Sequence, residues 1–182
     1  MDRSLVERAQ RGDREAFTGL AFELSDRLFA VAHRILRDFD SAGDALQVTL
    51  LRIWRDLPGL KDPGLIEAWA YRILVRACHD ALRKQRRQAP ALHLLAVDGA
   101  EPDHAISIAN REQLDRAFQR LTGEQRAAVV LQYYRDLTLP EIAEILQVPV
   151  GTVRSRLHYA KRALRSAIEA DARPPVQKGR MA

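Results

Sequence analysis

Between Arg154 and Arg165 the chain carries five basic residues and no acid, with Ser155, His158 and Tyr159 interleaved. Lys and Arg neutralise phosphates, and an arginine fork can pair bidentately with a guanine edge, so this run has the chemistry of DNA recognition. Val153, Leu157, Ala160, Leu164 and Ile168 recur at steps of three and four, forming one apolar stripe of a helix that begins around Val150–Gly151. The bases fall on its other faces. Upstream, Thr138 and Glu141 have capping-box spacing, and Pro140 sits in the first turn, where its missing amide costs nothing. The short helix opened there has Ile142, Ile145 and Leu146 on its apolar face. Gln147-Val148-Pro149 ends it, because a residue before proline is pushed away from the helical region. A short helix, a tight turn and a basic second helix fit a helix-turn-helix, whose second helix enters the major groove. A helical hairpin with a merely solvated basic face is the alternative that the same pattern allows.

A second basic helix is expected from about Leu65 to Arg87. Trp69, Ile73, Ala77 and Leu82 approximate its buried stripe. Arg72, Arg76, His79, Arg83, Lys84, Arg86 and Arg87 load the other side, opposed only by Asp80 and Glu67. Aromatics beside clustered bases suit single-stranded nucleic acid, where bases stack and phosphates are neutralised. Core aromatics with solvated arginines fit the spacing equally well.

Five further helices and their connections must position these two. Residues 2–11 form a short helix, broken at Gly12-Asp13. Asp13 caps a long amphipathic run to Leu36, with Phe17, Leu20, Leu24, Leu28, Ala32 and Ile35 as core scaffolding. Ser41 and Asp44 repeat the capping-box spacing, predicting a third helix on which Ala45, Val48, Leu51 and Trp54 face inward and Asp44, Gln47, Arg52 and Arg55 face solvent. Pro58-Gly59 and Asp62-Pro63-Gly64 punctuate a loop holding Leu60 and Lys61. From Ala89 to Asn110 there are three acids, two prolines, no Lys or Arg and no sustained period, which reads as a flexible linker. A helix from Arg111 to Arg120, with Leu114 and Phe118 apolar, precedes a third capping-box pair, Thr122 and Gln125. That pair opens a helix carrying Val129, Val130, Leu131 and Tyr134. The tail from Arg173 is expected to be disordered.

The chain therefore reads as all-α, with two small helical domains at 1–88 and 111–172, a linker at 89–110 and a tail at 173–182. Its 182 residues are 47% hydrophobic and 29% charged with a net charge of +5, consistent with a soluble protein that has a polyanionic partner. The single cysteine, Cys78, excludes an internal disulfide, and it lacks the companions of a zinc site. His33, His93 and His104 are isolated, so no metal is expected, and no cofactor. No apolar run approaches a membrane span and the N-terminus has no signal-peptide core, so a cytoplasmic protein without membrane insertion is expected. No phosphate loop, triad or paired carboxylate supports catalysis, so no enzyme and no catalytic residue is expected.

With both basic helices placed, the sequence resembles an extracytoplasmic-function (group IV) sigma factor of bacterial RNA polymerase. In the second domain the resemblance rests on EIAEIL and PVGTVRSRL. In the first it rests on RILRDFDSAGDALQVTLLRIW followed by AWAYRILVRACHDALR. It implies a promoter-recognition subunit without a cofactor. The first domain would bind the β′ clamp helices and melt and read the −10 element, with a base flipped out. The second would sit on the β flap and read the −35 element as duplex, while the linker's acids thread toward the RNA exit channel. By position, the resemblance assigns Asp44, Gln47 and Arg52 to the polymerase. It assigns Leu60, Lys61, Trp69, Arg72, Arg76, His79, Asp80 and Arg83 to the −10 element, and Thr152, Arg154, Ser155, His158, Tyr159 and Lys161 to the −35 element. An anti-sigma factor packing between the domains is the further partner it implies.

Four positions, in three places, depart from the family pattern. Gly43 and Val48 replace acids flanking the Asp-Ala-Leu-Gln core, Arg76 replaces a frequent asparagine, and Tyr159 replaces a common arginine. Two other readings compete. A sigma-like mimic that only sequesters an anti-sigma factor should have lost its groove-facing bases, whereas Arg154, Arg156 and Lys161 remain. A repressor or response regulator would need a receiver or ligand-binding domain, and no alternating strand–helix pattern is present.

Overall fold

The computed structural model describes residues 1–88 and 114–171, all helix and short connections. The expected linker, the first residues of the helix expected from Arg111, and the tail lie outside the described residues. The helices are α1 (Arg3–Gln10), α2 (Arg14–Leu36), α3 (Phe39–Asp56), α4 (Ile66–Gln88), α5 (114–119), α6 (Gly123–Tyr133), α7 (Leu139–Leu146) and α8 (Val150–Asp171). Two 3-10 turns, Leu57–Gly59 and Pro63–Leu65, bridge α3 and α4.

Local chemistry starts most helices where the sequence predicts. The Asp13 carboxylate accepts from the Ala16 amide and caps α2. Thr122 and Gln125 exchange both capping-box bonds at the start of α6. At α7 the Glu141 carboxylate accepts from the Thr138 amide at 2.8 Å and from its hydroxyl at 2.6 Å. The third helix differs. It begins at Phe39, and Asp38, not Ser41, is the cap, accepting from the Ser41 amide at 2.7 Å. Asp44 lies one turn further in and caps nothing.

α2 is the axis of the first half. Leu20, Leu24, Leu28, Val31, Ala32 and Ile35 are buried against α1, α3 and α4. Sealing a leucine fully away from water contributes about 1.5–3 kcal/mol. α3 packs mostly through small residues: Ala42, Ala45 and Thr49 are buried together with the larger Ile53, and the Thr49 hydroxyl is satisfied by the Ala45 carbonyl. Of the four residues expected inward only Ala45 is; Val48, Leu51 and Trp54 are exposed. On α4 the buried set is Ile66, Ala70, Tyr71, Leu74, Val75, Ala77 and Cys78, whereas Trp69, Ile73 and Leu82 are only half-buried. The true stripe is shifted because α4 is covered on two sides, by α2 and α3 and by the second half of the chain.

The second half is built on α6, whose Ala127, Ala128, Val130 and Leu131 are buried among α7, α8 and α2. Leu114, expected apolar and inward, is 44% exposed, and Ala117 is the buried residue of α5. On α8, Val153, Leu157, Ala160 and Ala167 are buried, while Ile168, the expected end of the stripe, is 40% exposed.

The two halves touch. α6 packs on α2 and α4, and α7 packs on α4. Arg126 of α6 is buried in this seam and donates from Nε to the carbonyl of Ile35 at 2.7 Å and from a terminal nitrogen to Leu121 at 3.2 Å. Ile35 lies in the last turn of α2, where carbonyls lack helical partners and a cation is favourable. Around it, Arg37 pairs with Asp115 at 2.9 Å, and Arg34 stacks 3.6 Å from the centre of the Tyr134 ring.

Candidate nucleic-acid and polymerase interface

α7, the turn and α8 form the helix-turn-helix. Gln147 ends α7 in a left-handed conformation (φ 54°), which turns the chain sharply, and Val148 donates back to the Ala143 carbonyl. The Pro149 carbonyl then accepts from Thr152 at 2.8 Å and Val153 at 3.3 Å, starting α8. Val153, Leu157 and Ala160 anchor α8 in the core, so Arg154, Ser155, His158, Tyr159 and Lys161 all point to solvent, and Thr152 is half-buried at the start. The structure brings these six residues together on one helix face and edge. The Ser155 hydroxyl donates to the Thr152 carbonyl at 2.9 Å, which leaves its oxygen free to accept. The His158 and Tyr159 rings meet edge-on, and the Lys161 ammonium lies 5.4 Å from the Tyr133 ring. Bases and hydrogen-bonding side chains on an outward helix edge are what major-groove readout requires.

The residues expected at the single-stranded element spread over the loop and two edges of α4. Leu60 and Lys61 lie in the loop between the 3-10 turns, with Lys61 exposed. Gln10 of α1 fixes this loop by donating to the carbonyls of Leu60 at 2.7 Å and Leu57 at 3.2 Å. The sequence reading missed that role, since a lone glutamine gives no signal of reaching a loop fifty residues on. Arg76, Asp80 and Arg83 are exposed on α4; Trp69, Arg72 and His79 are half-buried. Asp80 pairs with Arg83 on its own helix and with Arg52 of α3 at 3.9 Å, so it ties the two groups of candidate residues together. Burial at the seam pushes the His79 imidazole below its ordinary value, a tendency that Arg156 and Arg83 reinforce and Glu124 and Asp80 oppose.

Asp44 and Gln47 are exposed and Arg52 is half-buried on α3. Beside them stand Val48, Leu51 and Trp54, 39, 62 and 40% exposed, with Trp54 edge-on to Phe17 at 4.6 Å. The sequence reading assigned these apolar residues to the core. The available signal was that α3 has more large apolar residues than one stripe can hold. A mixed apolar and polar helix face, left open by its own fold, is suited to a protein partner.

No group of three or more His, Cys, Asp or Glu side chains that could hold a metal occurs among the described residues, and none of the described helices is long and apolar enough to cross a membrane.

Comparison with known proteins follows the same division. The family description "Sigma-70 region 2" matches residues 22–88, and "Sigma-70, region 4" matches residues 111–164. Relatives span nearly the whole chain. The RNA polymerase sigma-H factor of Pseudomonas aeruginosa is 29% identical over 181 residues, covering 92% of this chain and 94% of the relative. The ECF RNA polymerase sigma factor SigW of Bacillus subtilis is 26% identical over 184 residues, covering 92% and 97%. Two solved structures share the fold. CnrH, in complex with the cytosolic domain of CnrY, matches with a TM-score of 0.70 at 22% identity over 94% of this chain and 99% of that one. The sigma factor RpoE of Bartonella quintana, in complex with the anti-sigma factor NepR, matches with a TM-score of 0.68 at 22% identity over 85% and 98%.

Proposed function

The chain belongs to the sigma-70 family, in its extracytoplasmic-function branch, and from that premise we propose which of its surfaces does what. It is a sigma factor, binding core RNA polymerase and directing promoter-specific initiation through −10 and −35 elements. Residues 1–88 form the unit that meets the polymerase and the −10 element, residues 111–172 the unit that meets the −35 element, and 89–110 join them. The chain acts in the cytoplasm as a regulatory subunit with no catalysis of its own.

On α8, Arg154 reads base edges, with Ser155, His158, Tyr159 and Lys161 beside it and Thr152 near the helix start on phosphate. Trp69, Arg72, Arg76, His79 and Arg83, with Leu60 and Lys61 of the loop, take the −10 strand, and Asp80 holds Arg83 and Arg52 in place. Asp44, Gln47 and Arg52 meet the β′ clamp helices, and the exposed Val48, Leu51 and Trp54 supply the apolar area that such a contact needs. The observation that carries the −35 assignment is the outward edge of α8, where five polar side chains stand over the buried Val153, Leu157 and Ala160. The partners are core polymerase, promoter DNA and an anti-sigma factor. The last rests on likeness to a chain captured with such a partner.

Transcription by bacterial core polymerase on a randomised promoter library, with and without this protein, tests the reading. Protein-dependent starts that share two elements about two helical turns apart are expected. A folded sample that yields no protein-dependent starts would overturn it in favour of a mimic that only sequesters an anti-sigma factor.

A further inference from the structure

The loop between α3 and α4 carries Leu60 and Lys61, the two candidate −10 residues that lie on no helix. Two turns flank them, and each is closed by its own bonds. The Leu60 amide donates to the Leu57 carbonyl at 3.0 Å and the Leu65 amide to the Asp62 carbonyl at 3.0 Å. The Asp62 carboxylate also accepts from the Gly64 amide at 2.9 Å. Leu57 and Pro63 are buried and pin one turn each to the core. Between these anchors Pro58, Gly59, Lys61 and Asp62 are exposed, and neither turn uses the Leu60 carbonyl. The bonds that close the turns therefore leave the Leu60–Lys61 peptide unset.

Gln10 sets it from outside the loop. It is the last residue of α1, and its side-chain amide has two protons to donate. One goes to the Leu60 carbonyl at 2.7 Å and the other to the Leu57 carbonyl at 3.2 Å. A peptide unit is planar, so fixing the direction of the Leu60 carbonyl fixes where the Lys61 backbone starts. α1 is a firm base for this reach. Val6 and Ala9 are buried, the Arg11 and Gly12 amides donate back to the Arg8 and Ala9 carbonyls, and Arg8 pairs with Asp13 at 2.8 Å. With both protons engaged inside the fold, the Gln10 amide has no donor left for DNA.

We propose that Gln10 is a positioning residue for −10 recognition: it orients the Leu60–Lys61 peptide from the end of α1, and so sets the base selectivity of a loop fifty residues on without touching the promoter. This rests on the reading of that loop as part of the −10 surface. A group that reads a base must be held close to its productive geometry by the bonds behind it. A neutral amide suits the task, since it donates twice and brings no charge to the strand's phosphates. An ionised glutamate in its place would only accept, and would face two carbonyl oxygens.

Transcription by core polymerase on a library randomised at both elements tests this with full-chain variants. Gln10→Ala should flatten base preference within the −10 element roughly threefold or more, while the −35 preference stays as it is. Gln10→Glu should flatten it at least as much. Gln10→Lys keeps donors at a similar reach and should recover part of the preference. In a chain already carrying Leu60→Ala and Lys61→Ala, adding Gln10→Ala should change the −10 profile no further, because the loop then has nothing left to position. An unchanged −10 profile in Gln10→Ala overturns the proposal. So does a loss shared equally by both elements, or one that persists undiminished in the loop variant, since either marks a residue that only stabilises the fold. If Leu60→Ala with Lys61→Ala leaves the −10 profile intact, the loop assignment fails and this inference fails with it. Absence of protein-dependent starts from the unmodified chain would instead count against the sigma-factor reading itself.

Discussion

Arg154 and Arg165 carry the same charge on the same helix and are both exposed, yet different consequences follow from removing them. Arg154 stands on the outward edge next to Ser155 and His158, within the first two turns of α8, which is the part of a recognition helix that reaches base edges. Arg154→Ala is expected to cost about 1–3 kcal/mol of discrimination at one position of the −35 element. Arg165→Ala should leave discrimination unchanged. Binding across a panel of duplexes checks this, since an equal loss on every sequence would place Arg154 on phosphate instead. Tyr159 puts a phenol rather than a guanidinium fork on that edge, so Tyr159→Arg should shift the base preference there toward guanine. On α3, Leu51 is 62% exposed one helical turn from Gln47. Leu51→Asp and Gln47→Ala should each weaken core-polymerase binding, roughly tenfold or more for a central contact. Titration with labelled core polymerase reads this, and binding of a −35 duplex by the same variants should be unaffected.

At the scale of elements, caps decide where helices begin. Asp38 is extended (φ −142°, ψ 128°) and holds the Ser41 amide, which also draws its carboxyl below the usual aspartate range, the Ser41 side chain and amide being the main causes. Asp38→Ala should cost about 1 kcal/mol of stability, read as a lower denaturant midpoint with an unchanged slope. The same element shows why some of the architecture was legible in the sequence and some was not. Thr122–Gln125 and Thr138–Glu141 each precede a single apolar run, so spacing alone located α6 and α7. Ser41–Asp44 has identical spacing, but Asp38 is an earlier competitor, and Phe39 and Asp40 fit a first turn, Asp40 favourably placed toward the helix dipole. Side-chain facing on α3 was hidden for a different reason. Three of its four buried residues, Ala42, Ala45 and Thr49, are too small to dominate a hydrophobic pattern, and Ile53 is the one large residue among them. The larger Val48, Leu51 and Trp54 therefore mimic a core stripe while facing outward. On α8 the first half of the stripe was readable because Val153 and Leu157 are large and also buried, whereas Ile168 at its far end is 40% exposed. Gln10 and Arg126 were not readable at all, since each acts across the fold on a backbone carbonyl that carries no sequence signature.

At the scale of the whole molecule, the seam ties shape to solution conditions. His79 is held below its ordinary value chiefly by burial; the charged groups facing it are Arg83 and Asp80 of α4, Glu124 of α6 and Arg156 of α8. The arrangement in which the two halves touch therefore binds the proton less readily than one in which His79 is exposed. Its advantage is full above the ordinary histidine value near 6.5 and is lost progressively as pH falls below it. Small-angle scattering should show the radius of gyration rising between pH 7.5 and 5.5, and His79→Gln should flatten that rise. Cys78 sets a limit of another kind. It is fully enclosed on α4, and burial pushes its thiol up to about 12. Only about one molecule in 10⁵ then carries the thiolate at neutral pH, and the thiolate is the form that peroxide and electrophiles attack. The chain has no other sulfhydryl, so thiol chemistry offers oxidants no ready handle on it. An oxidative signal directed at this chain would therefore have to arrive by contact with another molecule rather than through its own thiol.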